Sequence, residues 1–195
     1  MTKEELIAFE REVADFFTQK KIAGPIHLSG GNEEQLIEIF KGVSREDWVF
    51  STYRSHYHAL LHGIPRDWLM KEIIAGRSMT IASPDHRFMS SAIVGGCLPI
   101  AVGVAWAIKK CSLGERVWCF VGDMAAMSGA FREAINYVRG HDLPCEFVIE
   151  DNGVSCDSPT EECWGRDFND NFYDFVHHYH YKRTYPHSGI GKYVF

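Results

Sequence analysis

Residues 116–153, RVWCFVGDMAAMSGAFREAINYVRGHDLPCEFVIEDNG, decide the fold of this chain. They contain two short apolar runs of strand character, at 116–121 and 145–150, and between them a segment at 127–139 that has helical character. A strand, a helix and a second strand within so short a stretch form a βαβ unit, whose two strands lie parallel. The sequence therefore predicts an α/β fold with a mostly parallel sheet and helices on both faces.

The flanking segments add further elements to this unit. Three of them have the apolar spacing or the start signals of helices: 4–20, 33–40 and 65–75. Residues 47–52 have strand character, and 92–110 form a nearly all-apolar segment that we expect to be a helix buried on most sides. A loop is expected at 77–91, and an irregular region is expected from 161 up to the short apolar end 193–195.

The composition fits one globular domain over residues 1–195. Of these residues 46% are hydrophobic, enough for a sizeable core. The net charge is −6 and basic residues occur at most in adjacent pairs, which argues against nucleic acid as a partner. Six cysteines without a CxxC pair, and a charged amphipathic start, predict reduced thiols and a cytoplasmic protein. The longest uncharged run, 89–108, contains a proline and three glycines, so we expect a core helix and no membrane span.

Polar residues follow each strand of the βαβ unit. Asp123 comes just after the first strand and Asn152 just after the second, so both can face the crevice at the carboxyl ends of the strands, where ligands bind. A carboxylate and an amide oxygen suit Mg²⁺ or Ca²⁺, with phosphate oxygens completing the shell, and a helix starting at 126–128 would point its positive end at those phosphates. Simple turns at strand ends use the same residue types, and that alternative stays open. Neither a GxGxxG nor a P-loop motif occurs.

The stretch 51–63, STYRSHYHALLHG, contains three histidines. His58 and His62 are four residues apart, as in zinc-binding helices. However, no glutamate lies between them and no third ligand is apparent, so the pattern disfavours zinc. We expect His58 and His62 to have structural roles.

Four segments, in this order, resemble motifs of the α subunit of the thiamine diphosphate-dependent 2-oxo acid dehydrogenase E1 component. They are HLSGGNEEQ (27–35), STYRSHYHALLHGIP (51–65), SAIVGGCLPIAVGVAWAIKK (91–110) and GDMAAMSGAFREAINYVRGHDLPCEFVIEDNGVS (122–155). The last resembles the family's cofactor motif, which begins Gly-Asp-Gly and closes about thirty residues later with Asn-Asn. This resemblance implies a thiamine diphosphate-binding fold, in a version shorter than the family's usual α subunit.

The resemblance also implies which residues bind thiamine diphosphate and Mg²⁺. The metal ligands would be Asp123, Asn152 and the backbone carbonyl of Val154. The cofactor-binding residues would be Tyr53, Arg54, Ala92, Val94, Gly122, Asp123, Met124, Ala125 and Asn152. Of these, Arg54 would be the fixed cation for the phosphates, Gly122 would lie along the diphosphate, and Ala92 and Val94 would contact the aminopyrimidine.

Two departures from the family motif concern this site. Met124 occupies the position of the second glycine of Gly-Asp-Gly, and Asp151 that of the first asparagine of the closing pair. Two histidines are candidate catalytic residues. His187, in RTYPHSG, partly matches a late loop whose histidine reaches the thiazolium, and His56 is expected to line the same pocket as a polar or proton-handling group.

The function that the resemblance implies is decarboxylation of a small 2-oxo acid. The α subunit would act with a β subunit, which supplies the glutamate that activates the cofactor, in an α2β2 assembly. The acyl group would pass to a lipoyl-bearing acyltransferase or a similar acceptor. Two alternatives stay open, a subunit of a split transketolase-like ketol transferase and a non-catalytic cofactor-binding partner.

Overall fold

The computed structural model describes residues 1–165 and 174–191 of the chain. The helices are α1 (Lys3–Thr18), α2 (Glu33–Phe40), α3 (His56–Leu61), α4 (Arg66–Glu72), α5 (Cys97–Lys110), α6 (Asp123–Ala126), α7 (Gly129–His141) and α8 (Thr160–Trp164). The strands are β1 (Trp48–Ser51), β2 (Ala82–Ser83), β3 (Phe88–Ser90), β4 (Val117–Gly122), β5 (Cys145–Asp151), β6 (Val154–Ser155), β7 (Ser158–Pro159) and β8 (Val176–His180).

Six of these strands form one sheet in the order β2-β3-β1-β4-β5-β8. The pairs from β3 to β8 are all parallel, and only the short β2 runs antiparallel to its neighbour β3. Strands β6 and β7 form a separate antiparallel pair beyond β5. The predicted mostly parallel α/β fold is therefore confirmed.

The central strands β4 and β5 are covered on both faces. Every residue of β5 is buried, and alternate side chains of β4 point to opposite faces of the sheet. Cys119 and Val121 pack on one face in a cluster with α5 and α7, whereas Trp118 and Phe120 pack on the other with α1, α2, α3 and α4. Because both faces are dry, these strands are continuous apolar runs in the sequence.

Three local predictions are wrong. The expected loop at 77–91 contains the short strands β2 and β3, and the expected irregular region from 161 contains α8 and the edge strand β8. The helix expected at 92–110 begins only at Cys97, since 92–96 form turns, and it buries a single face while Ile100 on the other side is 40% exposed. The apolar end 193–195 lies outside the described residues.

No helix in 1–165 or 174–191 has both the length and the apolar character that crossing a membrane requires.

Replacing Phe131 by alanine should destabilise the fold strongly. Phe131 is fully buried and its ring meets that of Phe147 edge to face at 5.5 Å, which joins α7 to β5. Losing this contact should lower the free energy of unfolding by about 3–5 kcal/mol, measured by urea denaturation. Tyr137→Ala on the same helix is the control, because Tyr137 is 45% exposed and its loss should cost less than about 1 kcal/mol. Equal losses in the two variants would contradict this account of the core.

Candidate functional site

A cavity that is open to solvent lies at the carboxyl ends of β1, β4 and β5. The chain places β3 on one side of β1 and then β4 on the other, so the order of the strands reverses between β1 and β4. In open parallel sheets the loops separate at such a reversal and leave a crevice for a ligand. The turn after β3, residues 91–95, supplies another wall of the same cavity.

Most of the residues predicted to bind the cofactor line this cavity. They are Tyr53, Arg54, Val94, Gly122, Asp123, Met124, Ala125 and Asn152, together with the predicted metal ligand Val154. Ala92 is not among the lining residues, although its neighbours Ser91 and Ile93 are. The sheet thus brings together residues from four distant parts of the sequence.

Asp123 is a buried carboxylate that faces the cavity. Its side chain is 1% exposed, and the hydroxyl of Thr160 donates a hydrogen bond to its carboxylate. Burial raises the pKa of Asp123, and the nearby carboxylate of Asp151 adds to this, while hydrogen bonds from Thr160 and the backbone oppose it. A buried carboxylate of this kind gains from a bound cation, which would restore the charge compensation that water no longer supplies.

Asn152 presents an amide oxygen at the same edge of the sheet. Its Nδ2 donates to the hydroxyl of Tyr181 at 3.1 Å, and its Oδ1 accepts from the backbone N–H of Val154 at 3.2 Å. Gly153 between them has φ of +71°, a conformation that favours glycine, and it allows the chain to turn back so that Val154 also lines the cavity. The side chain of Asn152 is therefore held in one orientation.

Two arginines place positive charge at the cavity. Arg54 donates from Nη1 to the carbonyl of Leu28 at 2.7 Å, and its guanidinium lies 5.7 Å from the ring centre of Tyr53. Arg183, from the segment after β8, donates to the carbonyl of Cys156 at 2.9 Å. Backbone anchoring leaves other N–H groups of each planar fork available for an anion such as a phosphate.

His187 lies beside this cavity. Its ring centre is 5.8 Å from that of Tyr53 and 4.7 Å from that of His27, and its carbonyl accepts hydrogen bonds from His27 and Arg54. Burial and the charge of Arg54 lower the pKa of His187. Its Nδ1 is buried and has no hydrogen-bond partner within the described part of the chain. The ring is therefore biased towards its neutral form and keeps one nitrogen uncommitted.

The structure places His56 away from the lining of this cavity. His56 is fully buried, its Nδ1 lies 3.0 Å from the carboxylate of Glu10, and its Nε2 lies 2.9 Å from the hydroxyl of Ser78. Both ring nitrogens are thus engaged in a network that joins α1 to α3. His58 and His62 are also buried, next to the rings of Phe120 and Phe88, as structural roles require.

Met124 and Asp151, the two departures from the family motif, are both accommodated. Met124 lies in the single turn α6, a backbone conformation that any residue adopts, and its sulfur accepts a hydrogen bond from the indole of Trp164 at 2.7 Å. The carboxylate of Asp151 accepts from the backbone N–H of Gly153 and contacts two histidines of β8. The helix expected to start at 126–128 is α7, which begins at Gly129. The helical turn that borders the cavity is instead α6, which begins at Asp123.

The residues of the site that sequence reasoning does not identify include Glu150, Thr160, Tyr181 and Arg183. Tyr181 and Arg183 follow β8, whose sequence VHHYH predicts an irregular region. Histidine and tyrosine alternate from His178 to Tyr181, one residue past the end of the strand, and this period of two is the signal that could have identified Tyr181. Thr160 lies in no motif that distinguishes it from an ordinary hydroxyl residue.

Acidification should weaken the fold through His27. Burial lowers the pKa of His27 to about 4 from 6.5, although the carbonyl of His187 partly opposes this. The unfolded chain therefore binds more protons than the folded chain between these two values, and stability falls as the pH falls through that window. This residue alone should cost about 2 kcal/mol of unfolding free energy between pH 7 and pH 5.

The variant His27→Asn keeps a side-chain N–H donor but cannot titrate. Urea unfolding at pH 7 and pH 5 should show a smaller loss in this variant than in the unmodified chain. Equal losses in both proteins would exclude His27 as the titrating group.

Comparison with known proteins gives relatives over most of the chain. The α subunit of acetoin:2,6-dichlorophenolindophenol oxidoreductase from Bacillus subtilis is 32% identical over 167 residues, which cover 80% of this chain and 50% of that protein. The α subunit of the pyruvate dehydrogenase E1 component from Porphyra purpurea is 32% identical over 161 residues, 74% of this chain and 47% of that protein. The corresponding acetoin subunit from Cupriavidus necator is 34% identical over 157 residues, which cover 75% of this chain and 47% of that protein.

The chain thus spans about half the length of the curated relatives that it matches. The sequence model of the family described as dehydrogenase E1 component matches residues 1–164, which include β1, β4, β5 and the cavity residues that follow them. On this match and these identities, the chain belongs to the dehydrogenase E1 component family and is similar to its α subunits.

Proposed function

We propose that this chain is the α subunit of a thiamine diphosphate-dependent enzyme that decarboxylates a small 2-oxo acid. One observation carries the proposal. The buried carboxylate of Asp123, the fixed amide of Asn152 and the guanidinium groups of Arg54 and Arg183 all meet in one cavity of an E1-family chain. Two oxygen ligands beside two fixed cations are what a magnesium diphosphate requires.

The donor set fits Mg²⁺ better than a softer metal. Carboxylate, amide and backbone carbonyl oxygens are the hard ligands that Mg²⁺ prefers, and Mg²⁺ commonly completes its shell with phosphate oxygens and water. Asp123, Asn152 and the carbonyl of Val154 would hold the ion. Gly122, Met124 and Ala125 would border the diphosphate, and nothing in the described structure lies within 4 Å of a Cβ added at Gly122, so space remains there.

Thiamine diphosphate, when bound, supplies the carbanion-stabilising chemistry on which decarboxylation of a 2-oxo acid depends. The role of the chain's own residues would be to bind and orient the cofactor and the substrate. Arg54 and Arg183 would neutralise phosphate charge, and Val94 borders the part of the cavity proposed for the aminopyrimidine. His187, beside the cavity and biased towards its neutral form, would exchange a proton with the substrate or its product.

His56, in this proposal, positions the segment next to the site and does not touch the cofactor. Its contacts with Glu10 and Ser78 join α1 to α3, and α3 directly follows the segment that carries Tyr53 and Arg54. A ring fixed at both nitrogens can keep that segment in place and retain a defined tautomer.

A β subunit would complete the site. Ile93 and Val94, on the rim of the cavity, are 73% and 65% exposed, and Ile100 on α5 is 40% exposed. Apolar side chains exposed at the edge of a binding cavity are typical of surfaces covered by a partner. The proposed assembly is an α2β2 heterotetramer in which the β subunit provides the activating glutamate, and the acyl group passes to a lipoyl-bearing acyltransferase.

Replacing Asp123 by asparagine should weaken binding of thiamine diphosphate in the presence of Mg²⁺. The substitution keeps the shape of the side chain but removes the anionic ligand, and we expect the affinity to fall roughly ten- to hundredfold. Isothermal titration calorimetry on the chain co-expressed with its β subunit measures this loss. Asp67→Asn is the matched control, since Asp67 is exposed on α4 and does not line the cavity. Unchanged affinity in Asp123→Asn would refute the proposed site.

The proposed reaction can be tested with a panel of small 2-oxo acids. The α and β chains, loaded with thiamine diphosphate and Mg²⁺, should reduce an artificial electron acceptor with at least one of these acids, and the α chain alone should not. Transfer of a two-carbon ketol unit between sugar phosphates, without oxidation of any 2-oxo acid, would instead identify a split transketolase-like enzyme. Tight cofactor binding without either activity would identify a non-catalytic binding partner.

A further inference from the structure

Two histidines of the edge strand β8 face a buried carboxylate of β5. His178 and His180 are separated by one residue, and because side chains alternate along a strand they share one face of the sheet. The register pairs His180 with Asp151, and His178 with the residue two positions earlier in β5. The three side chains therefore form a cross-strand group on one face of two hydrogen-bonded strands.

The distances within this group suit a metal ion. Nε2 of His178 lies 3.1 Å and Nδ1 of His180 lies 3.0 Å from the same oxygen, Oδ2 of Asp151. One ligand atom from each of the three residues lies within 4.8 Å of the others. A tetrahedral zinc ion with ligands at about 2.0–2.2 Å keeps its ligand atoms roughly 3.3 Å apart, close to the two distances between the histidine nitrogens and Oδ2 of Asp151.

The surroundings orient the carboxylate for this purpose. Asp151 is buried, and its other oxygen, Oδ1, accepts a hydrogen bond from the backbone N–H of Gly153 at 2.9 Å. Such a hydrogen bond to the second oxygen of a ligating carboxylate is a common feature of metal sites. The side chain of His180 is 73% exposed, so the group is open to solvent on one side and an ion can enter.

We propose that Asp151, His178 and His180 form a zinc site. Two imidazole nitrogens and one carboxylate oxygen are the ligand set of open zinc sites, in which a water occupies the fourth position, and imidazole disfavours Mg²⁺. The site shares no ligand with the Mg²⁺ site proposed at Asp123 and Asn152. It does not depend on the chain's being a decarboxylase.

The position of the site in the fold indicates what the zinc does. Strand β8 lies at the edge of the sheet, and directly after it the backbone N–H of Tyr181 donates to the carbonyl of Asp151 at 2.8 Å. Zinc would connect the side chains of β8 and β5, in addition to the backbone hydrogen bonds that already pair the two strands. It would thereby hold Tyr181 and Arg183 in place at the cavity.

The test compares zinc binding by the unmodified chain and by the double variant His178→Gln, His180→Gln. After dialysis against Zn²⁺ with excess Mg²⁺ and then against metal-free buffer, the unmodified chain should retain about one zinc ion, measured by mass spectrometry of the metal. The double variant should lose at least about tenfold in zinc affinity. A chain that retains no zinc, or a double variant that retains as much, would overturn the proposal. Zinc kept by the double variant would lie on other groups, such as the exposed thiols Cys156 and Cys163.

His177→Gln is the matched control. His177 lies between the two proposed ligands, but it points to the opposite face and its Nε2 contacts the carboxylate of Glu146 at 3.1 Å. This variant should bind zinc like the unmodified chain. Thermal unfolding separates a failure to fold from a failure to bind. With a chelator present, the double variant should melt close to the unmodified chain, and added zinc should raise the melting temperature of the unmodified chain and of His177→Gln only. A zinc-induced rise of equal size in the double variant would also overturn the proposal.

Discussion

The parallel pairing of β4 with β5 is the constraint on which the rest of the structure depends. Its register places Gly122 opposite Glu150, so Asp123, one residue after Gly122, and Asn152, two residues after Glu150, leave the sheet at the same edge. An antiparallel pair would send the two strand ends to opposite edges of the sheet. The helix α7 makes the parallel arrangement possible by returning the chain to the starting edge, and burial of its apolar face against both strands fixes the return.

The buried carboxylates near this edge are compensated in different ways. Oε1 of Glu150 accepts hydrogen bonds from Tyr179 and Asn32 and lies 3.2 Å from Nε2 of His58. Glu10 is held by His56 and by a backbone N–H. Asp123 and Glu150 both line the cavity, but the side-chain donor bonded to Asp123 is the neutral hydroxyl of Thr160. Because a buried carboxylate is costly unless hydrogen bonds or a cation compensate it, Asp123 would gain more from a bound cation than Glu150 or Glu10.

The burial of each element decided whether the sequence could predict it. Strands β4 and β5 are covered on both faces and are therefore uninterrupted apolar runs, which any hydrophobicity pattern reveals. Strand β8 lies at the edge and pairs its histidines with acidic residues of β5, so its composition resembles a loop. The short β2 and β3 contain only two and three residues, too few for a period to be recognised.

The predictions for the site differ in the same way. Asp123 and Asn152 could be located because they directly follow recognisable strands, and Tyr53 and Arg54 because the family motif names them. Arg183 depends on β8 and on a long-range contact with Cys156, which no local pattern encodes. The exclusion of His56 from the cavity lining likewise depends on its partner Glu10, which comes from a helix distant in the sequence.

The five parts of the cavity come from the ends of β1, β3, β4 and β5 and from the segment after β8. A ligand that contacts all five binds only the chain in which every one of these strands is paired. Such a ligand stabilises the paired state by mass action, by about 2.7 kcal/mol when its concentration is a hundred times its dissociation constant. The edge strand β8 gains most from this coupling, because it has a single neighbour in the sheet and carries Arg183 just beyond its end. Local opening of β8 would remove one of the two guanidinium groups from the cavity, so loss of the ligand and fraying of the sheet edge are expected to accompany each other.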